Sequence, residues 1–211
     1  MKKIFLLIVV GISLCSCGIS RTMAKMNLSI ESVDVTKDNQ SFIDNSVDNI
    51  SVDDVKYMTY KDDVVDIKWS VGNNRFVIVL ENLTNQTIKV LWDDAAYIGP
   101  SGIATRVMHT GTKYSERNDF QPPSIVPKKA AIEEVVIPTG NVYYADGWNE
   151  SYLLIYNVQN NKDFDVIKRN YIGKSVKVLL PILIREEKIE YLFNFTIQSV
   201  TKFTVTPNYS Y

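Results

Sequence analysis

His109 is the sole histidine in the sequence, so imidazole chemistry here has one ring to work with. A zinc site draws on several His or Cys ligands, and no second soft ligand stands near it. A Ser-His-Asp arrangement needs a framed nucleophile, and no GxSxG elbow occurs. Neither a GxGxxG nor a GxxxxGK[ST] loop is present to cradle a nucleotide, so the expectation is no cofactor and no metal. Asp62-Asp63 and Asp93-Asp94 are acid pairs that could suggest calcium. The oxygen-rich spacing of a calcium loop is missing around them, and they read as solvated turn residues. Carboxylate pairs for glycosidic chemistry meet only in a fold, and no pair is singled out. The plain reading of His109 is a hydrogen-bonding residue in a loop or at a strand end.

Two stretches hold the remaining candidates for binding. Residues 109–129 (HTGTKYSERNDFQPPSIVPKK) form a long segment without strand or helix periodicity, and unstructured loops of that length are usually functional or disordered. Arg117 within it can offer a two-pronged donor to a carboxylate, and Pro122-Pro123 stiffen its second half. The alternative is a loop pinned across the body by proline and aromatic contacts. Residues 142–156 carry Tyr143, Tyr144, Trp148, Tyr152 and Tyr156. Exposed Tyr and Trp serve glycan-binding and protein-binding surfaces; with 12 Tyr in the chain some clustering is expected, and packing is the plainer reading.

The elements that must position these residues follow from periodicity. Val65, Ile67, Trp69 and Val71 alternate with polar residues, as in a half-buried strand. Residues 75–81 are apolar on both faces, as in a central strand. Residues 87–92 alternate again, so 66–92 reads as a three-stranded meander with turns at Gly72–Asn74 and 82–86. Strands are predicted at 132–137, at 175–184 and at 188–200. The last aligns Ile189, Tyr191, Phe193, Phe195 and Ile197 on one face. Pro181 demotes its end of the 175–184 strand to an edge or bulge, and 175–200 reads as a long hairpin. A helix is predicted within 152–171, with Gly173 as its stop. About seven strands separated by turns predict a mainly β fold, an antiparallel immunoglobulin-like β-sandwich over 51–211, with Trp69 at its centre. Residues 17–50, rich in Ser, Asp and Asn, read as a tether, with 30–35 as an alternative early strand.

The N-terminus carries an address. Lys2 and Lys3 precede an apolar run, Ile4 to Leu14, too short for a bilayer span of about 20 residues but suited to a secretory signal. It ends in Leu14-Cys15-Ser16-Cys17, which resembles the lipobox of bacterial lipoproteins, as the chain as a whole resembles Bacteroidota-like lipoproteins. The resemblance implies lipid on the Cys17 sulfur and cleavage after residue 16. Cys15 leaves with the signal, so neither of the 2 Cys makes a disulfide. Acyl chains contribute about 0.8 kcal/mol per buried methylene, and several together hold a protein stably at a membrane. Gly18 to Arg21 is not acidic and position 18 is not Asp. By the sorting patterns of such lipoproteins this implies the outer membrane, facing the periplasm. A net charge of −1 supplies no basic face for nucleic acid. The expected function is a non-enzymatic interaction or assembly module of the cell envelope with a protein partner. A glycan-binding lipoprotein using the 143–156 aromatics is the alternative, and an envelope hydrolase a third.

Overall fold

A computed structural model describes residues 20–52 and 55–205. The expected signal segment 1–16 and Cys17, the expected lipidation residue, lie outside the described residues.

The described residues are built mainly of strands: β1 (Arg21–Lys37), β2 (Gln40–Asp44), β3 (Val47–Val52), β4 (Val55–Lys61), β5 (Val65–Val71), β6 (Phe76–Asn82), β7 (Ile88–Val90) and β8 (Ala96–Ile98). There follow β9 (Ala104–Met108), β10 (Ser124–Val126), β11 (Ala131–Pro138), β12 (Val142–Tyr144), β13 (Trp148–Glu150), β14 (Ile155–Asn157), helix α1 (Asn161–Tyr171), β15 (Ser175–Ile184) and β16 (Glu187–Val205). Fourteen strands belong to one sheet, in the order β14-β1-β16-β15-β8-β9-β11-β6-β5-β4-β3, with β2, β7 and β10 joined to its sides. The pairings are antiparallel throughout.

This architecture corrects the seven-strand immunoglobulin-like sandwich. The sheet curls until its ends nearly meet. β2 pairs with β1, the chain bends at Asn45–Ser46, and it continues as β3 paired with β4. Where β3 departs from β1, the Asn49 side chain takes the place of a neighbouring backbone. Its oxygen accepts from Ile30 N at 3.0 Å and its nitrogen donates to Ile30 O at 3.1 Å. A barrel-like closure of this kind leaves few free edges.

The tether expected over 17–50 is, from Arg21 onward, part of this barrel. β1 lies between β16 on one side and β2 and β14 on the other. Its inward residues are Ala24, Met26 and Ile30, then Val33 and Val35. The parity flips because the register shifts between Ile30 and Ser32, and a bulge of one residue exchanges the faces of a strand. Alternation is therefore broken in the middle of the element. A second shift, opposite Asn27 and Leu28, leaves Gln198 unpaired on β16. Inward burial there passes from Ile197 to Val200.

Elsewhere the alternation read from sequence sets the faces. Val65, Ile67 and Trp69 are buried, as are all five odd-numbered residues from Ile189 to Ile197. Trp69 sits at the centre, 4.9 Å from Phe193, 5.7 Å from Phe195 and 5.9 Å from Phe76, all edge-on. Such pairs contribute about 0.5–1.5 kcal/mol each beyond their buried area.

The three-stranded meander is corrected in its last strand. β6 pairs with β5 and β11, whereas β7 pairs with β10 and β15. Asn82, fully buried, prevents the hairpin. Its nitrogen donates to Gln86 O at 2.7 Å, Val126 O at 3.1 Å and Pro127 O at 3.0 Å. Its oxygen accepts from Thr84 N and Oγ1. The turn is thereby wound around one side chain and tied to the residues after β10.

Pro181 lies inside the sheet. β15 meets β8 at 177–179 and β7 at 182–184. Between those partners the facing chain makes a 3-10 turn, Trp92–Asp94, so the missing N–H of Pro181 falls where no ladder bond is required. Its carbonyl accepts from Leu91 N at 2.9 Å. Helix α1 starts at its Asn160 cap, whose side chain accepts from Asp163 N at 3.0 Å. It lays Phe164, Ile167 and Tyr171 on the barrel and ends before Gly173, at φ +84.

Candidate functional site

Strands β12 and β13 form a separate hairpin beside the barrel. Its turn places Asp146 at φ 52 and Gly147 at φ 131, the left-handed region that glycine enters without cost. The Asn149 side chain closes it, donating to the carbonyls of Ala145 and Gly147, each at 2.9 Å. Register pairs Tyr144 with Trp148 and Val142 with Glu150, so these four share a face. Tyr143 pairs with Asn149 on the other face.

The shared face meets the 109–129 segment. Val142 is buried with Met108 and Ile137, against Tyr114 and Val135. The Glu150 side chain is 5% exposed and one of its oxygens accepts from both the Arg75 guanidinium and the Tyr114 hydroxyl. The hydrogen bond to Glu150, with burial, pushes the Tyr114 hydroxyl above its ordinary value. Tyr114 belongs to a 3-10 turn, Tyr114–Glu116, whose next residue is Arg117. The Arg117 Nη1 donates to Tyr114 O at 2.9 Å, and its guanidinium carbon lies 5.1 Å from the centre of the Trp148 ring. Tyr144 meets Trp148 edge-on at 5.5 Å and Tyr114 does so at 6.3 Å.

The structure thus brings three of the four expected contact residues together. Arg117, Trp148 and Tyr144 form a ridge in which Tyr144 is 69% and Trp148 40% exposed. Tyr143 stands apart, exposed on the back of the hairpin. Arg75 and Glu150 were not legible as parts of this site. Arg75 opens a strand read for its apolar core, and Glu150 is one of two acids in the aromatic stretch 142–156.

The 109–129 segment is fixed along its length and includes a short strand, β10. The Arg106 guanidinium donates to the carbonyls of Asn118 and Asp119 at 2.8 and 3.2 Å. Gln121 is buried and donates to Val107 O at 2.6 Å. His109, at the end of β9, stacks on Trp92 with ring centres 4.7 Å apart. Neither of its nitrogens has a hydrogen-bond partner, although Nδ1 lies 3.5 Å from Glu134 Oε2. The Ser124 hydroxyl accepts from Trp92 Nε1 at 2.8 Å and donates to Glu134 at 2.5 Å. Its proton is therefore directed to the carboxylate and not to His109. Burial works against the Glu134 charge, but His109, Ser124 and Thr110 outweigh it and hold the carboxyl below its usual range.

Three of the four acids in the Asp62-Asp63 and Asp93-Asp94 pairs have structural contacts. Asp62 accepts from two buried tyrosines, Tyr60 and Tyr191, which corrects its reading as a solvated turn residue. Asp93 pairs with Arg106 and Asp94 with Lys188. Among the described residues no three His, Cys, Asp or Glu side chains are grouped to hold a metal ion. Comparison with known protein families, curated proteins and solved structures finds no match.

Proposed function

We propose that this chain is a bacterial envelope lipoprotein, anchored through lipid on Cys17, whose folded body is a non-enzymatic interaction module. The Arg117–Trp148–Tyr144 ridge is the surface that meets a protein partner. The supporting observation is the combination of exposure and fixation. Aromatic rings stand out from the body on a hairpin whose underside is held by the Glu150 bonds to Arg75 and Tyr114. Rigid, partly exposed Trp, Tyr and Arg side chains are the residue types that dominate the energetics of protein interfaces. Fixing them beforehand lowers the ordering cost of association.

Crosslinking from intact envelopes, followed by mass spectrometry, tests this reading. The wild-type chain should yield a discrete partner that Trp148→Ala and Arg117→Ala each remove while the barrel stays folded. Unchanged crosslinks in both variants would refute the ridge. Glycan binding by the same hairpin is the second reading, favoured by the exposure of Tyr143 and Tyr144. It predicts a saturable glycan-induced change in tryptophan fluorescence that Trp148→Ala abolishes.

A further inference from the structure

A second concave site lies on the same segment, beyond Arg117. Between the end of β9 and Pro122 the chain forms a cup of about 360 Å³, at the small end of the range of about 300–1,000 Å³ that ligand pockets occupy. Phe120 stands at its rim, 74% exposed. Glu116, Asp119, Thr110 and Thr112 line it, with Gln121 and His109.

The walls are set in advance. Arg106 holds the carbonyls of Asn118 and Asp119, Thr112 Oγ1 donates to Gln121 Oε1 at 3.3 Å, and Thr110 N donates to Glu134 at 3.2 Å. The ring of His109 is more than nine-tenths buried and both its nitrogens lack a partner. Both nitrogens are inaccessible to solvent and Nδ1 lies toward Glu134, so the ring closes the wall and offers no polar atom to the cup.

We infer that this cup binds a neutral sugar ring. The exposed phenyl of Phe120 supplies an apolar face for the C–H side of a pyranose. The two carboxylates and two threonine hydroxyls supply acceptors and donors for its hydroxyls. The charge pattern selects against other ligands. Glu116 and Asp119 repel anions, while Glu116 is already paired with Lys113 at 3.0 Å, which weakens the attraction for an organic cation. The acids are not grouped with a third ligand into a cation site. This inference goes beyond the ridge and does not rest on it, since Trp148 is not among the cup residues.

Saturation-transfer NMR on the full chain tests it, with glucose, galactose, mannose, N-acetylglucosamine and its β1,4-linked dimer as probes. At least one should show saturable transfer at millimolar concentration. Phe120→Ala and Asp119→Asn should each weaken it about tenfold, the scale of one lost ring contact or charge-assisted hydrogen bond. Both residues lie on the loop surface, and an unchanged near-UV circular dichroism spectrum shows that the variants fold. Trp148→Ala should bind as wild type. Absence of saturable transfer from all five sugars, or wild-type binding by Phe120→Ala, would overturn the inference. Loss of binding in Trp148→Ala alone would assign the sugar to the ridge instead.

Discussion

Replacing Asp62 by alanine should unfold the closed end of the barrel more readily than any comparable surface change. One carboxylate oxygen accepts from Tyr60 at 3.2 Å and Tyr191 at 2.9 Å; the other accepts from the backbone N–H of Val64 at 2.8 Å and Val65 at 2.7 Å. Both tyrosines are essentially inaccessible to solvent. Tyr60 keeps a second acceptor in Asp44, at 3.1 Å, whereas the Tyr191 hydroxyl loses the only acceptor recorded for it among the described residues. Hydrogen bonds to a charged group contribute about 1.5–3 kcal/mol, and a stranded buried donor costs about 1–3 kcal/mol. The backbone donors recover part of their loss from water. The expected destabilisation is about 3–5 kcal/mol, or about 10 °C in Tm for a domain of this size. Urea unfolding followed by tryptophan fluorescence, which reports on buried Trp69 and Trp92, is the assay. The double variant Asp62→Ala/Tyr191→Phe decides the mechanism. Removing the stranded hydroxyl should make it no less stable than Asp62→Ala alone, a clear departure from additivity. A loss below about 0.5 kcal/mol for Asp62→Ala, or strict additivity of the two changes, would refute the reasoning.

Other outcomes follow from the same structure. Glu134 is held ionised in the fold, so its contribution is present above the unfolded glutamate value of about 4.3 and is lost as pH falls through the lower folded value. Glu134→Gln should flatten the acid limb of a stability–pH curve measured by urea unfolding. Asn82→Ala removes a side chain that serves five hydrogen-bond contacts and strands buried carbonyls; a loss of about 2–4 kcal/mol is expected in the same assay. Burial, with Asp62 beside it, holds the Tyr191 hydroxyl protonated far above its ordinary value. Its neutral form therefore contributes stability that is lost as pH rises above about 10. Tyr191→Phe should show a smaller drop than wild type across that range. Cys17→Ala should release the protein from membranes into the soluble fraction, as seen by fractionation, without changing its unfolding curve.

Some of this was legible in the residues and some was not, for physical reasons. The strands β5, β15 and β16 stand out because each keeps one parity against the core over at least seven residues. β1 does not: its parity changes at Glu31, and its outward residues (Ser29, Asp34, Thr36) are the polar types that also compose tethers. Pairing is a different matter from strand formation. Nothing in the alternation of 87–92 shows that β7 leaves β6, because the decision rests on one buried amide, Asn82, whose acceptors include two carbonyls more than forty residues away. Of the ridge, Arg117, Trp148 and Tyr144 were visible as residue types that bind. Their juxtaposition was not, since it depends on a hairpin face meeting a 3-10 turn. Tyr143 was indistinguishable from Tyr144 until register placed them on opposite faces.

The position of β1 has a mechanical consequence if Cys17 carries the anchor. Only Gly18, Ile19 and Ser20 separate that residue from Arg21, the first residue of the ladder with β16, and the four steps from residue 17 to residue 21 span about 14 Å at most. The body would then ride close above the headgroups, with little slack for reorientation. A pull from the bilayer along the axis of β1 would load its ladder lengthwise. Antiparallel bonds loaded in that direction share the strain across the whole Arg21–Thr36 contact and do not open one at a time from an end. The anchoring strand would be the hardest part of the molecule to strip away.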